Sequence, residues 1–289
     1  MFQSARYGLA LTAIAIGTLT APTASAATLV ATELFLSVDA SGSVSPSEFN
    51  LQKQGYVDAF KSAELQSLIS GTPNGIAVNL QYWASDQASE LGWYHLTDAA
   101  TTNAFADLID GTVDPGSGVI GSSTNIAGAI ASAANSLLTN DFTGSRLVID
   151  VSGDGTQNTR CTGGCVATLQ AARDAAVADG IIINGLPIGG SSIATYYENN
   201  VIGGEGSFSQ PANDFTDFKD AVLLKLKREI TLPDPDPTPD PDPTPDPDPD
   251  PTPDPVSVPE PSLLLGLVGL GLWGGQSLRK RSVAASTHT

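Results

Sequence analysis

Two short, continuous apolar runs, each ending in a cluster of oxygen-bearing side chains, restrict this chain's folding choices more than any other feature. Leu34-Phe35-Leu36-Ser37-Val38 stops at Asp39-Ala40-Ser41-Gly42-Ser43, and Leu147-Val148-Ile149-Asp150-Val151 stops at Ser152-Gly153-Asp154-Gly155. A strand without polar alternation is buried on both faces, which points to a mostly parallel sheet covered by helices on each side. In such a sheet the carboxyl ends of neighbouring strands share one crevice, where ligands bind. A third segment, Ser123-Thr124-Asn125, opens a helical pattern between the two runs. All the donors offered are oxygens, so the matching ion is a hard divalent cation such as Mg²⁺.

The rest of the body alternates in the same sense. Ser45-Pro46-Ser47-Glu48 predicts a helix start, with Ser45 as N-cap and Pro46 in the first turn. Phe49, Tyr56 and Phe60 then share one face at helical spacing. Residues 76–84 and 90–96 read as strands. The five residues between them are too few for a parallel crossover, so the pair is expected as an antiparallel hairpin at the sheet edge. Helices are expected over 99–109, 125–138, 166–178 and 214–229, with a strand over 181–188 ended by Gly189-Gly190. This is an α/β, Rossmann-like pattern: a mostly parallel sheet, one antiparallel edge strand, helices on both faces.

The ends read as addresses. Residues 1–26 carry Arg6, an apolar stretch from Leu9 to Leu19 and the small-residue site Ala24-Ser25-Ala26, the anatomy of a cleaved signal peptide. Residues 258–289 carry Pro259-Glu260-Pro261, thirteen apolar residues from Leu263 to Gly275, and Arg279-Lys280-Arg281. That run is short of the ~20 residues of a full transmembrane helix, and a basic stop holds such a tail at the membrane. The order resembles the PEP-CTERM sorting signal of Gram-negative bacteria, which implies processing by an exosortase and delivery to the cell surface or beyond. Ser282 to Thr289 extend past the basic cluster, where such tails usually end.

Between body (28–231) and tail, residues 232–257 repeat Pro-Asp and Pro-Thr. Proline at alternate positions forbids helix and sheet ladders and favours polyproline II, so the linker is expected to be extended and unpacked. Its eight aspartates repel one another. The formal charge of −18 becomes more negative still without Arg6, Arg279, Lys280 and Arg281. A surface this acidic would repel the phosphates of a nucleic acid. Cys161 and Cys165, an even count in an exported chain, suggest a disulfide closing a small loop, with free thiols as the alternative. Zinc would need two more soft ligands, and the mature chain offers His95 alone.

With these residues in place, the body resembles the von Willebrand factor A domain, whose metal-ion-dependent adhesion site uses Asp-x-Ser-x-Ser, a distant Thr and a distant Asp. The resemblance implies a divalent cation (Mg²⁺, or Ca²⁺ or Mn²⁺) at Asp39, Ser41, Ser43, Thr124 and Asp154. It also implies a coordination position left for an acidic group of a protein or polysaccharide partner. Asp150 competes with Asp154 as the distal ligand, but Asp154 lies at the strand's exit and fits the motif. An EF-hand reading of Asp150 onward fails, because its twelfth position is Cys161 rather than Glu. Two other functions remain open. One is a hydrolase using Ser41 or Ser43, which needs a base and finds His95 alone in the mature body. The other is a metal-braced scaffold binding partners through Tyr82, Trp83, Trp93 and Tyr94.

Overall fold

A twelve-residue strand, β1 (Thr28–Asp39), occupies the middle of the sheet, and its last eight residues are buried without a break. In this computed structural model residues 26–231 are described. The expected signal peptide, Pro/Asp linker and sorting tail lie outside the described residues.

The chain turns from β1 into α1 (Pro46–Lys61), where Ser45 accepts the Glu48 N–H and Glu48 accepts the Ser45 N–H in return. Next come α2 (Ala63–Gly71), β2 (Ile76–Trp83), β3 (Tyr94–Leu96), α3 (Ala99–Asp110) and the short α4 (Ser117–Ile120). After α5 (Ile126–Thr139), strand β4 (Phe142–Gly153) enters on the other side of β1. Helix α6 (Cys165–Ala178), β5 (Ile181–Pro187), α7 (Gly190–Asn200) and α8 (Phe218–Thr231) complete the body.

The strand order is β3-β2-β1-β4-β5, parallel throughout except for β3 against β2. Because the chain winds outward from β1 to β3 and then returns to β4, the order reverses at β1. The carboxyl ends of β1 and β4 therefore flank the crevice where such sheets bind ligands. Side chains of β1 alternate between two cores. Leu34, Leu36 and Val38 pack with α1, α2, α3 and α8, whereas Phe35 packs with α5, α6 and α7.

Several expectations are corrected. The edge strand is three residues long rather than seven, because the chain bends at Gly92 (φ 97°), whose N–H goes to the Asn79 side chain instead of a ladder. Helices α2, α4 and α7 are additions to the expected pattern; α7 begins at the Gly189-Gly190 pair expected only to end a strand. Of the four aromatics in this region Tyr82 and Trp83 are buried in the core, whereas Trp93, which donates to Ser136 Oγ, and Tyr94, which packs on Phe105, are half-buried.

Helix α8 is fastened by buried charge. Lys225 Nζ lies 2.6 Å from Asp150 Oδ1 and 2.5 Å from Glu229 Oε1, and all three side chains are fully buried. Asn184 Nδ2 donates to Glu229 Oε1 (2.9 Å), and the Arg146 guanidinium donates to the Glu229 carbonyl.

Candidate metal centre

Three loops bring their oxygens together at the crevice. The first leaves β1 through Asp39, whose Oδ1 accepts the Ser41 N–H at 2.8 Å and so turns the Ser41 and Ser43 hydroxyls to the same side. Ser41 Oγ is 3.2 Å from Ser43 Oγ and 3.4 Å from Thr124 Oγ1, which arrives just ahead of α5. Ser43 Oγ donates to Asp154 Oδ1 at 2.6 Å, one residue past the end of β4. All five residues named from the sequence are thus linked within one cluster.

The loops are also tied to each other directly. The Gly42 N–H donates to the Ser122 carbonyl at 2.9 Å, and a Cβ at Gly42 would meet Ser122 Cβ at 3.0 Å. A side chain at residue 42 would therefore wedge the first two loops apart.

Asp150, the rival for the distal position, points toward α8 and pairs with Lys225. Alternation along β4 keeps Asp150 and Ser152 on the face covered by α8 and α1, and Asp154 escapes that face because it lies beyond the strand, where the chain is free to turn toward β1.

The donors fit a hard cation. Adjacent oxygens around an octahedral ion are about 3.0 Å apart for ~2.1 Å bonds and about 3.4 Å apart for ~2.4 Å bonds. The hydroxyl separations of 3.2 and 3.4 Å match that edge. Asp39 Oδ2 is buried and has no hydrogen-bond partner, so it has capacity for a water or an ion. Burial pushes the Asp39 carboxyl up to about 7, with the Ser41 N–H pulling the other way. Burial also raises Asp154, opposed by the Ser43 hydroxyl and reinforced by the nearby Glu48 charge. Among the described residues no three His, Cys, Asp or Glu side chains gather as a metal-holding group, so a cation held here would take most of its donors from hydroxyls.

The base that the sequence offers for serine chemistry, His95, lies far from the hydroxyls. His95 pairs with Ala77 at the opposite end of β2 from Trp83, about 20 Å along the strand, and its Nε2 is bonded to the Asn74 carbonyl. Cys161 and Cys165 are bonded to each other at the start of α6, with Cα atoms 4.6 Å apart.

Three residues around the site carry no signal in the sequence. Asn158 and Gln157 reach from the loop after Asp154 to Thr124 and to the first turn of α5. Tyr197 of α7 brings a buried hydroxyl without a partner beside Gly153. Their roles depend on how the loops cross in space, and no local pattern encodes that.

An open α/β sheet with hydroxyl and carboxylate donors at its reversal point defines a protein of the von Willebrand factor A-like class. Solved structures bear out the fold. Proximal thread matrix protein 1 from the mussel byssus is 14% identical over 68% of this chain and 47% of that one, with a TM-score of 0.50. The pilus adhesin SpaC from Lactobacillus rhamnosus GG, in its open conformation, is 11% identical over 70% of this chain and 30% of that one, also at 0.50. The chain spans less than half the length of either. No curated protein matches the sequence. The chain belongs to the von Willebrand factor A-like family described as protein of unknown function DUF1194, whose model matches residues 29–234. A PEP-CTERM protein-sorting motif matches residues 257–281 and marks an exported protein. Among the described residues no helix is long and apolar enough to cross a membrane.

Proposed function

We propose that the body is a binding module that captures an acidic group of an extracellular protein or polysaccharide through a divalent cation held by Asp39, Ser41, Ser43, Thr124 and Asp154. Mg²⁺ is the ion taken here, and Ca²⁺ and Mn²⁺ share its preference for hard oxygens. When bound, such a cation supplies a positive charge with a coordination position open to a carboxylate. The chain's own residues arrange the rest. Asp39 holds the first loop in its turn through the Ser41 N–H, and Ser43 joins that loop to Asp154. Three of the five donors are neutral hydroxyls, so a bound ion would keep more of its positive field for an anion than it would among carboxylates alone.

The observation that carries this reading is the unbroken line Thr124–Ser41–Ser43–Asp154, with no step longer than 3.4 Å, drawn from three separate loops. The sorting motif adds the setting. The protein would be held briefly at the membrane of a Gram-negative cell, processed by an exosortase, and displayed on the surface or in the matrix.

Melting of the mature body in Mg²⁺ and in EDTA tests the site. A ligand at a hundred times its Kd stabilises by about 2.7 kcal/mol, so the wild type should melt several degrees higher with Mg²⁺. Asp39→Ala and Thr124→Ala should fold but lose that difference, and capture of extracellular matrix should vanish in EDTA. A wild-type body indifferent to EDTA in both assays sinks the proposal.

A further inference from the structure

Asn158 makes three hydrogen bonds to one residue. Its Oδ1 accepts the Thr124 N–H at 2.8 Å, its own N–H donates to the Thr124 carbonyl at 3.0 Å, and its Nδ2 donates to Thr124 Oγ1 at 3.3 Å. Two of these pin the backbone. The third reaches the hydroxyl whose other neighbour is Ser41 Oγ.

An amide N–H₂ can only donate, so at that contact Thr124 Oγ1 must accept. One lone pair of the hydroxyl is occupied on the Asn158 side, and the remaining capacity of the oxygen is turned toward Ser41. Without that partner the threonine side chain can rotate about its Cα–Cβ bond and point its methyl group at the other donors.

The same loop is held at further points. Gln157 is buried, its Oε1 accepts the Ala127 N–H in the first turn of α5, and its Nε2 donates to the Asn125 side chain and the Thr159 carbonyl. Arg160 pairs with Asp86 and donates to the Ser85 carbonyl, and the Cys161–Cys165 bond closes the loop against α6. Gly155 lies against Thr124, where a Cβ would come within 3.0 Å of Oγ1. The loop that supplies Asp154 therefore also sets the position of Thr124.

We infer that Asn158 is a positioning residue of the metal centre: it orients the Thr124 hydroxyl toward the cation and locks the second and third ligand loops together. The inference rests on the cation reading above. In metal centres, loss of a partner that orients a ligand typically lowers affinity ~10–100-fold.

The test is direct Mn²⁺ titration of the mature body, followed by electron paramagnetic resonance, for the wild type and Asn158→Ala. Each is also melted in EDTA and in saturating Mn²⁺. The expected result is Mn²⁺ affinity lower by ~10–100-fold in Asn158→Ala and a smaller melting rise on Mn²⁺ addition. A residue that only braced the fold would lower both melts alike and leave the affinity unchanged, and that outcome overturns the inference. Should Asn158→Ala fail to fold, the wild type decides: the Asn158 side-chain amide resonances should move during Mg²⁺ titration with the same midpoint as the Thr124 amide. Resonances that stay still overturn it. A wild type that binds no Mn²⁺ sinks the cation reading itself, whereas a binding wild type with an equally tight Asn158→Ala sinks the positioning role alone.

Discussion

A methyl group on Gly153 would come within 2.7 Å of both Asp39 Oδ2 and the Tyr197 hydroxyl. Real Cβ atoms do not approach so closely, and both neighbours are fully buried, so neither can swing into solvent. Gly153→Ala must push Asp39 out of its turn. The expected cost is about 1–3 kcal/mol of stability by overpacking, together with loss of the Mg²⁺-dependent melting rise. An alanine variant that keeps the full rise would show that Asp39 is not held where the first loop requires it. Tyr197 makes the opposite case. Its hydroxyl is buried and unpartnered, so Tyr197→Phe removes a polar atom that gains nothing from the fold. Stability measured in urea should be unchanged or slightly higher, since deleting an unsatisfied group spares its desolvation cost of about 1–3 kcal/mol. A clear loss would mean that a water satisfies the hydroxyl in solution.

Helix α8 shows where an element could be read from sequence and where it could not. Phe218, Val222 and Leu226 announce its buried stripe at helical spacing, and the structure buries all three. Lys225 and Glu229 fall on the same stripe but look like solvent-facing charges in any local reading. They are buried because Asp150 waits on β4, a long-range pairing that no window of residues contains. The ligand loops were legible for the converse reason. Asp39, Ser41 and Ser43 follow a buried strand within five residues, and spacing alone puts them on one side. Asn158 and Gln157 act across loops and left no trace. Helix α7 was hidden by its Gly-Ser-Ser start, which offers neither a side-chain cap nor an apolar first turn. The buried charges of α8 yield their own expectation. Lys225→Met leaves Asp150 and Glu229 facing each other in the core and should cost about 3–5 kcal/mol in urea denaturation. Adding Asp150→Val and Glu229→Leu should restore much of it, because well-packed apolar groups of similar size can replace a buried ion network. A single Lys225→Met variant as stable as the wild type would show that the network does not hold α8.

Within the body, the candidate site and the end of α8 lie at opposite poles. The donors lie at the carboxyl ends of β1 and β4, whereas α8 runs the other way and brings Glu229 to Arg146, near the start of the shared ladder. From Arg146 to Gly153 the strand covers about 23 Å, so α8 ends at Thr231 on the side of the body opposite the candidate site. The Pro/Asp repeat after the body is proposed, from its sequence alone, to act as a spacer. Reach and cation chemistry are then separable. Deleting residues 233–255 should leave the Mg²⁺ affinity of the released body unchanged, because all five donors lie between Asp39 and Asp154. Capture of matrix by cells displaying the shortened protein should fall, since a body close to the surface meets the crowded, like-charged envelope before it meets a partner. Undiminished capture would mean that the repeat is not a spacer. A fall in both capture and affinity would mean that its aspartates contribute to the binding chemistry.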